Sequence, residues 1–358
     1  MSGGVLWPLE PATQAKHRLY KRYLDGWWPI MLQPSPQTGY LRPRVTYVDA
    51  FAGPGRYEGG EEGTPVFVLD RLLNHEAAGR MGLSRERVRL VFIEKRHDRF
   101  VFLREELCRK FGDLDRLPVR VQLRHGDAAD ETRQALDELR AWQQPILAIF
   151  DSWGNVSIPL DLITRIGNNA ASEAVVTFGP NWFSRREDLN TDLLDIVFGG
   201  RDYWAPADRE GRPDERWRVW LATYRSALRR AGFDYRLHFK IVPKTGQPLY
   251  LVYGTTHHKG VEVMKDAMWK VDGNGGMSFA DPRTRGAQPP GQLDLFGSGT
   301  AGDPELLELV SQRLQDGAAT VDQLRDWLLR ETARWRRQAG RDKAQCRPRP
   351  RVRWENTD

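Results

Sequence analysis

Short apolar runs alternate with segments of helical spacing along the first half of the chain. Strands that are buried on both faces of a parallel sheet read as continuous apolar runs, and amphipathic helices repeat every three or four residues. Five alternations of this kind predict an α/β fold, a doubly wound and mostly parallel sheet covered on both faces. The predicted strands are 45–50, 88–94, 119–123, 146–150 and 174–178, and the predicted helices are 13–32, 64–74, 97–111, 130–142 and 159–168.

The pattern changes after the fifth predicted strand. Residues 179–214 show no clear period, and we predict that they are irregular. A helix is predicted at 215–231 and another at 260–270. Between them, segments 235–242 and 249–255 alternate polar and apolar positions and are joined by a turn containing Pro and Gly. This pattern predicts an antiparallel hairpin at one edge of the sheet.

The last quarter of the chain differs in composition from the rest. Residues 1–271 are predicted to be one Rossmann-like domain, and residues 272–303, rich in Gly, Pro, Ser and Asp, a flexible linker. Residues 304–338 hold two amphipathic segments typical of a small helical or winged-helix-like unit. Residues 339–358 are rich in arginine and are predicted to be a basic, disordered tail.

Charge and cysteine content narrow the range of partners and compartments. The chain has 54 basic and 48 acidic residues, so its formal net charge is 54 − 48 = +6, which suits a polyanionic partner without requiring one. Cys108 and Cys346 are too few and too far apart for a disulfide framework or a zinc site, so we expect a cytoplasmic protein without a metal. No long uncharged apolar run predicts a membrane span.

A glycine-containing turn follows the first predicted strand. The strand ends at Asp49, and Gly53-Pro54-Gly55 comes next. Glu58 stands where a dinucleotide fingerprint needs its third glycine, and no Gly-Lys-Ser/Thr of a phosphate-binding loop follows. A carboxylate at this turn would repel a pyrophosphate, but it suits the amine and sulfonium of S-adenosylmethionine. The alternative is an ordinary turn with a solvated aspartate.

Four predicted strands end at an acidic residue. Carboxyl ends of parallel strands line the ligand crevice of doubly wound sheets. In a site for S-adenosylmethionine, the first acid would hold the methionine amine, the second the ribose hydroxyls, the third the adenine amine, and the fourth would face the methyl group and its acceptor. The alternative is that these polar residues only cap buried strands. In chain order the acids are Asp49, Glu94, Asp127 and Asp151.

Several motifs together resemble the three-Cys-motif partner protein family (TcmP). They are Asp49-Ala-Phe-Ala-Gly-Pro-Gly-Arg56, Phe92-Ile-Glu94, Gly126-Asp127, Phe150-Asp-Ser-Trp-Gly154, Phe198-Gly199 and Met264-Lys265. The resemblance implies a class I S-adenosylmethionine-dependent methyltransferase fold, S-adenosylmethionine as cofactor, and a separate three-Cys-motif protein as a partner. The expected cofactor-binding residues are Asp49, Phe51, Gly53, Gly55, Glu94, Lys95, Asp127, Ala128 and Asp151.

The segment Asp151-Ser152-Trp153-Gly154 is where acceptor specificity is expected. In amino-methylating relatives this position resembles Asp-Pro-Pro-Tyr, and Ser152 here lacks the proline ring that fixes φ. Asp151 and Trp153 are the predicted catalytic residues, because one can accept a hydrogen bond from an amine and the other can stack on a flat acceptor. Packing of Trp153 in the core is the alternative.

Further acceptor contacts are expected on both sides of this segment. Lys16 and His17 face either the cleft or solvent, and a solvated basic turn is the favoured interpretation. Asn181 and Trp182 follow the fifth strand, where acceptor loops commonly lie. The predicted substrate-binding residues are Ser152, Trp153, Asn181, Trp182 and Lys16.

Three functions are consistent with these patterns. The first is a methyltransferase whose acceptor is a nucleic acid base, RNA or DNA. The second is a catalytically inactive protein of the same fold that binds nucleic acid, and the third is a partner subunit of another enzyme. A small molecule or a protein also stays open as the acceptor, because no motif on the acceptor side is decisive.

Overall fold

A single eight-stranded sheet organises the protein in this computed structural model. The structure describes residues 4–36, 38–153, 157–185, 190–206, 211–272, 278–283, 310–311, 313–315 and 317–331. The strands are β1 (Val45–Asp49), β2 (Val88–Glu94), β3 (Arg120–His125), β4 (Ile146–Phe150), β5 (Glu173–Phe178), β6 (Tyr235–Val242), β7 (Leu249–Thr255) and β8 (Ser278–Ala280).

The strand order is β3-β2-β1-β4-β5-β7-β6-β8. Strands β1 to β5 are parallel to one another, β7 pairs antiparallel with both β5 and β6, and β8 pairs parallel with β6. The doubly wound, mostly parallel sheet with an antiparallel hairpin is therefore confirmed.

Helices cover both faces of the sheet and enclose two apolar cores. The described helices are α1 (Pro11–Leu32), α2 (Thr64–Leu73), α3 (Ala78–Met81), α4 (His97–Phe111), α5 (Ala128–Glu138), α6 (Leu160–Gly167), α7 (Pro180–Ser184), α8 (Thr191–Phe198), α9 (Pro213–Arg230), α10 (His258–Val271) and α11 (Val321–Glu331). One core lies under α1, α2, α4 and α10, and the other under α5, α6, α8 and α9.

The chain reverses its direction of winding between β1 and β4. From β1 it moves outward to β2 and β3, and from β4 it moves the other way to β5. β1 and β4 are hydrogen-bonded neighbours, with Asp49 opposite Ile149. Ligands of open α/β sheets bind at such a switch point, outside the carboxyl ends of the strands. Asp49 and Asp151, at the ends of these two strands, thus come to the same crevice.

Residues 179–214 are more regular than the sequence predicted. They contain α7, α8 and a 3-10 turn at Arg201–Tyr203. The aromatic rings of this segment pack against Trp220 of α9: the Phe183 and Phe198 centroids lie 5.6 and 5.5 Å from it. This long-range packing stabilises helices that are too short to show a clear period, which is why the prediction was wrong.

The region after residue 271 is described only in part. Strand β8 lies inside the segment predicted as a linker, and α11 lies inside the predicted helical unit and contacts β6 and α10. The predicted basic tail, 339–358, lies outside the described residues, and the three boundaries between the four predicted segments remain predictions. Among the described helices, none is both long and apolar enough to cross a bilayer.

Candidate active-site cleft

The turn after β1 is built on glycines whose backbone other residues cannot easily adopt. Gly53 and Gly55 have φ of +66° and +82°, in the left-handed region that favours glycine. Gly63 approaches from the start of α2, and its amide donates to the Gly55 carbonyl at 2.7 Å. A Cβ on Gly63 would lie 2.7 Å from the carbonyl carbon of Gly55. The turn is therefore held closely against α2.

We expect Gly63→Ala to destabilise the protein by about 1–3 kcal/mol, because the added methyl group overlaps backbone that cannot move aside. Gly79→Ala is the matched control, since Gly79 lies in α3 and a Cβ there would meet nothing within 4 Å. Urea unfolding measures both variants. Equal stabilities would show that the turn is not packed as described.

A cleft of about 60 Å³ opens beside this turn. Its floor is formed by the carboxyl ends of β1 and β4, its side by the glycine turn, and its roof by α1. It is lined by Trp7, Thr13, Lys16, His17, Tyr20, Asp49, Phe51, Ala52, Gly53, Pro54, Gly55, Arg56, Tyr57, Gly63, Thr64, Ile149, Asp151 and Trp153.

Asp151 is the most heavily hydrogen-bonded side chain in the cleft. Lys16 Nζ donates to its two carboxylate oxygens at 2.7 and 2.8 Å. Thr177 Oγ1 donates to Oδ1 at 2.5 Å, and the Tyr20 hydroxyl donates to Oδ2 at 3.3 Å. Burial alone would raise the pKa of Asp151, but the Lys16 ammonium and these hydrogen bonds hold it below its ordinary value. Asp151 is therefore an ionised carboxylate at neutral pH.

Asp49 has the opposite electrostatic environment. Its side chain is buried, and its Oδ1 accepts a hydrogen bond from the Phe51 amide at 3.2 Å. Burial, with the charges of Asp151 and Glu94, raises the pKa of Asp49 to about 7, although the Phe51 amide and Lys16 act against the rise. The ionised form of Asp49 thus lacks the cationic partner that Asp151 has.

Lys16 and His17 both lie in the cleft, so the favoured prediction of a solvated basic turn was wrong. Their side chains are 3% and 6% exposed. His17 Nε2 and the Tyr57 hydroxyl are 3.2 Å apart, and burial next to Lys16 and Lys21 lowers the pKa of His17 to about 3. Lys16 precedes Tyr20 by four residues, which puts both on the buried face of α1. This four-residue spacing was the signal in the sequence that Lys16 could be buried.

Trp153 stands at the rim of the cleft and not in the core. Its side chain is 49% exposed, and Lys16 Nζ lies 4.6 Å from the ring centroid, within range of a cation–π contact. Its φ is +58°, which is uncommon for a bulky residue. The preceding Ser152 has a buried Oγ that finds no hydrogen-bond partner in the described parts of the chain.

The other predicted cofactor residues lie at the same edge of the sheet but do not line the cleft. Glu94 is buried and accepts a hydrogen bond from the Arg96 amide at 2.7 Å. Asp127 caps α5 through the Ala129 amide and pairs with exposed Lys95 at 3.2 Å. Ala128 packs into the second core. The four strand-end acids therefore divide into a cleft pair, Asp49 and Asp151, and two residues that accept hydrogen bonds from nearby backbone amides, Glu94 before α4 and Asp127 at the start of α5.

Asn181 and Trp182 also lie outside the cleft lining. Asn181 Nδ2 donates to Gln247 Oε1 at 2.7 Å, which ties α7 to the turn between β6 and β7. The Trp182 ring packs edge-on against Phe183, with centroids 4.9 Å apart, at the border of the second core. Both residues follow β5, as predicted, but their contacts described here are structural.

Several cleft residues were not among the predicted site residues, and Trp7 and Thr13 are two of them. The Trp7 ring covers the turn, 3.5 Å from where a Gly53 Cβ would be, and the Arg99 guanidinium lies 4.3 Å from its centroid. Thr13 is 5% exposed, and its Oγ1 has no hydrogen-bond partner among the described residues. Neither belongs to a recognisable motif, although Thr13 precedes Lys16 by three positions on the same helix.

The described residues contain no group of three or more histidine, cysteine or acidic side chains that could hold a metal ion. Cys108 is exposed and has a free thiol.

Similarity to known proteins is confined to solved structures. No protein-family profile and no curated protein matches the chain. Trm1 from Pyrococcus horikoshii, solved with S-adenosyl-L-methionine, is 12% identical, with 73% of this chain and 64% of that chain covered and a TM-score of 0.40. P. horikoshii TYW2 in complex with MeSAdo is 14% identical, covering 70% and 64%, with a TM-score of 0.32.

A third similar structure is precorrin-6y C5,15-methyltransferase from Geobacter metallireducens GS-15. It is 11% identical, with 67% of this chain and 86% of that chain covered and a TM-score of 0.30. This chain thus spans less than two thirds of the length of Trm1 and TYW2. With identities and TM-scores this low, the strand order and the cleft residues of this chain carry the conclusions below.

Proposed function

We propose that the protein is an S-adenosylmethionine-dependent methyltransferase whose acceptor is a nucleic acid base. The observation that carries the proposal is the cleft at the switch point between β1 and β4, where Asp49 and Asp151 meet and Trp153 is half exposed at the rim. A buried carboxylate faces the position expected for a cation, and an exposed ring is available to stack on a flat acceptor.

The residues present fit the methionine end of S-adenosylmethionine. Asp49 would accept from its amine, and the unpaired Thr13 Oγ1 offers a second polar contact in the same cleft. Glu94, next to Asp49 on the sheet edge, is the proposed ribose contact. At about 60 Å³ the cleft has room for only a few water molecules, so the nucleoside requires the Trp7 segment to move away from Gly53.

The bound cofactor would supply an electrophilic methyl group on a sulfonium. An acceptor nitrogen would take this methyl group as the carbon–sulfur bond broke, and would then release a proton. In this scheme Asp151 orients the acceptor amine, Trp153 stacks on the base, and α1 with the Trp7 segment excludes water. For Asp151 to take this role, Lys16 must give up one of its two hydrogen bonds.

That requirement favours a second candidate function. Both oxygens of Asp151 are already engaged by Lys16, Tyr20 and Thr177, and Ser152 replaces the proline of amino-methylating relatives. A catalytically inactive, nucleic-acid-binding protein of the same fold would need no free acceptor on Asp151. We also propose that the protein belongs to the TcmP family and that it acts beside a separate three-Cys-motif protein.

Labelled methyl transfer distinguishes these functions. The protein is incubated with methyl-labelled S-adenosylmethionine and total RNA, DNA or protein from the source cell, with and without the neighbouring gene product. Label in a nucleic acid that disappears with Asp151→Ala supports the enzyme. Nucleic-acid binding that survives Asp151→Ala, without methyl transfer to any pool, supports the inactive binding protein. No cofactor binding under either condition rejects the enzyme.

Cofactor affinity should increase about tenfold between pH 6 and pH 8, because Asp49 must be ionised to hold a cation and its pKa is about 7 in the free protein. Below that pKa, a proton has to be released on binding. Asp151, with its lowered pKa, and His17, with a pKa of about 3, keep one charge state across this range. Calorimetry at three pH values measures the effect, and Asp49→Asn should remove it.

A further inference from the structure

A second concave surface lies at the amino ends of β1, β2 and β3, whereas the cleft lies at the carboxyl ends of the strands. It encloses about 410 Å³ and is lined mainly by Arg44, Arg85, Arg89, Arg120 and Gln122, which together we call the arginine pocket. Since β1 has five residues at ~3.3 Å each, the pocket and the cleft are about 17 Å apart along the strands.

Strand register brings the arginines together. Arg89 of β2 is paired with Arg120 of β3 and with Thr46 of β1, two residues after Arg44. Positions two apart on a strand point to the same face, so the three guanidinium groups share the face that α5 covers. The pKa of Arg89 is lowered by burial and then by the charges of Arg44 and Arg120. The three cations therefore repel one another in the folded protein.

Contacts within the protein leave much of this charge uncompensated. Arg89 is 7% exposed and donates to the Leu139 carbonyl at the end of α5, but its buried Nε has no hydrogen-bond partner in the described chain. Asp115 pairs with Arg85 at 2.8 Å. Arg44 and Arg120 form no ion pair with any described residue. The carboxyl end of α5 thus compensates part of the positive charge of Arg89, but not the charges of Arg44 and Arg120.

We propose that the arginine pocket binds phosphate groups, and that its phosphates come from a nucleic acid backbone. Four guanidinium groups against Glu86 and Asp115, the two acids in the lining, leave a net charge of 4 − 2 = +2. Guanidinium forks match phosphate oxygens in bidentate geometry. The buried donor on Arg89 and the acceptor Oε1 of Gln122, also buried and unpaired within the described residues, add polar groups for the sugar and phosphate.

The proposal does not depend on cofactor binding or on catalysis. The pocket and the pair Asp49 and Asp151 lie at opposite ends of the strands. The pocket would therefore be a second binding site for the nucleic acid backbone, away from the cleft. A free phosphate or a nucleotide shares the same chemistry, and the experiment separates these sources from the polymer.

The test compares the full chain with Arg44→Gln/Arg120→Gln, and with Arg80→Gln/Arg104→Gln as a control that removes the same charge from exposed arginines elsewhere. Binding of a labelled RNA hairpin and a DNA duplex is measured between 50 and 200 mM salt. Loss of two phosphate contacts should lower affinity roughly tenfold or more, and should reduce the slope of log K against log salt by about 1.4–1.8. The control should keep the slope of the full chain.

Inorganic phosphate and ATP are tested as small ligands. Binding of each is measured as the shift in melting temperature that it produces. If only these ligands bind, and the pocket variant loses the shift, the site is a phosphate site for free anions and the polymer source is wrong. If the pocket variant and the control behave alike toward the polymers and both small ligands, the arginine pocket is not a phosphate site. Melting curves without ligand confirm that both variants are folded.

Discussion

Lys16→Met should lower the free energy of unfolding by about 3–5 kcal/mol at pH 7, because it leaves a buried carboxylate without its cation. Lys16 is 3% exposed and contributes two of the four hydrogen bonds on Asp151. Methionine has a similar length and fills the same space, so the loss of stability measures the effect of removing the charge and not of opening a cavity. Urea unfolding monitored by tryptophan fluorescence measures it.

The pH dependence of this loss follows from the pKa of Asp151. In the native protein that pKa is lowered, so the pair contributes stability above the unfolded value of 3.8, and this contribution disappears as pH falls. Without Lys16, burial raises the pKa of Asp151, and the carboxyl becomes neutral at a higher pH. The difference between Lys16→Met and the native protein should therefore shrink toward pH 4.

A double variant is the control for the pair. Lys16→Met/Asp151→Asn removes both charges and should recover most of the stability that Lys16→Met loses, since buried ion pairs can be replaced by neutral groups at little cost. A double variant no more stable than the single one, or a loss that does not change with pH, would contradict the charge pairing described here.

Asp49→Asn should weaken S-adenosylmethionine binding about 10- to 100-fold, the range expected when a buried charged hydrogen bond is lost. The same change should stabilise the free protein. Burial raises the pKa of Asp49 from 3.8 to about 7, so the native protein loses stability as pH rises between these values. Asparagine has no charge to bury, and the gain should be absent at pH 4 and at its maximum above pH 7, at most about 4 kcal/mol.

Asp113→Asn is the matched control for this prediction. Its carboxylate is exposed, accepts from the Asp115 amide at the start of the 3-10 turn Leu114–Arg116 and does not line the cleft, and asparagine can make the same cap. It should change neither the stability nor, to within a few-fold, the cofactor affinity. If Asp49→Asn bound the cofactor as tightly as the native protein, Asp49 would not hold the cation, and the proposed placement of the methionine end would be wrong.

Local pattern was sufficient for most of the sheet. The predicted bounds of β2 and of both hairpin strands agree with the structure residue for residue. These strands are runs of apolar or alternating residues bounded by Gly, Pro or charged positions, so their signal lies within the segment itself. The same holds for Asp49 and Asp151, which stand where an apolar run stops.

Local pattern was not sufficient where distant residues supply the packing. Helices α7 and α8 have five and eight residues, and their aromatic side chains find their partners on α9, more than twenty residues later. Lys16 looked solvated because lysine is rarely buried, and only the carboxylate of Asp151, 135 positions away, allows it to be. The ring contacts of α7 and α8 leave no trace in the spacing of those segments, and the spacing of Lys16 and Tyr20 on α1 does not show which carboxylate Lys16 would meet.

The amino-acid sequence alone determined where the strands and most helices lie, that they form a doubly wound sheet, and which acids stand at strand ends. The tertiary structure alone decided that Asp49 and Asp151 share a cleft while Glu94 and Asp127 accept from backbone amides beside it. It also decided that Asp151 is paired with a cation and Asp49 is not. The physical reason is that a strand's hydrophobic period is local, whereas strand order, burial and the electrostatic field at a carboxylate depend on groups brought together from the whole chain.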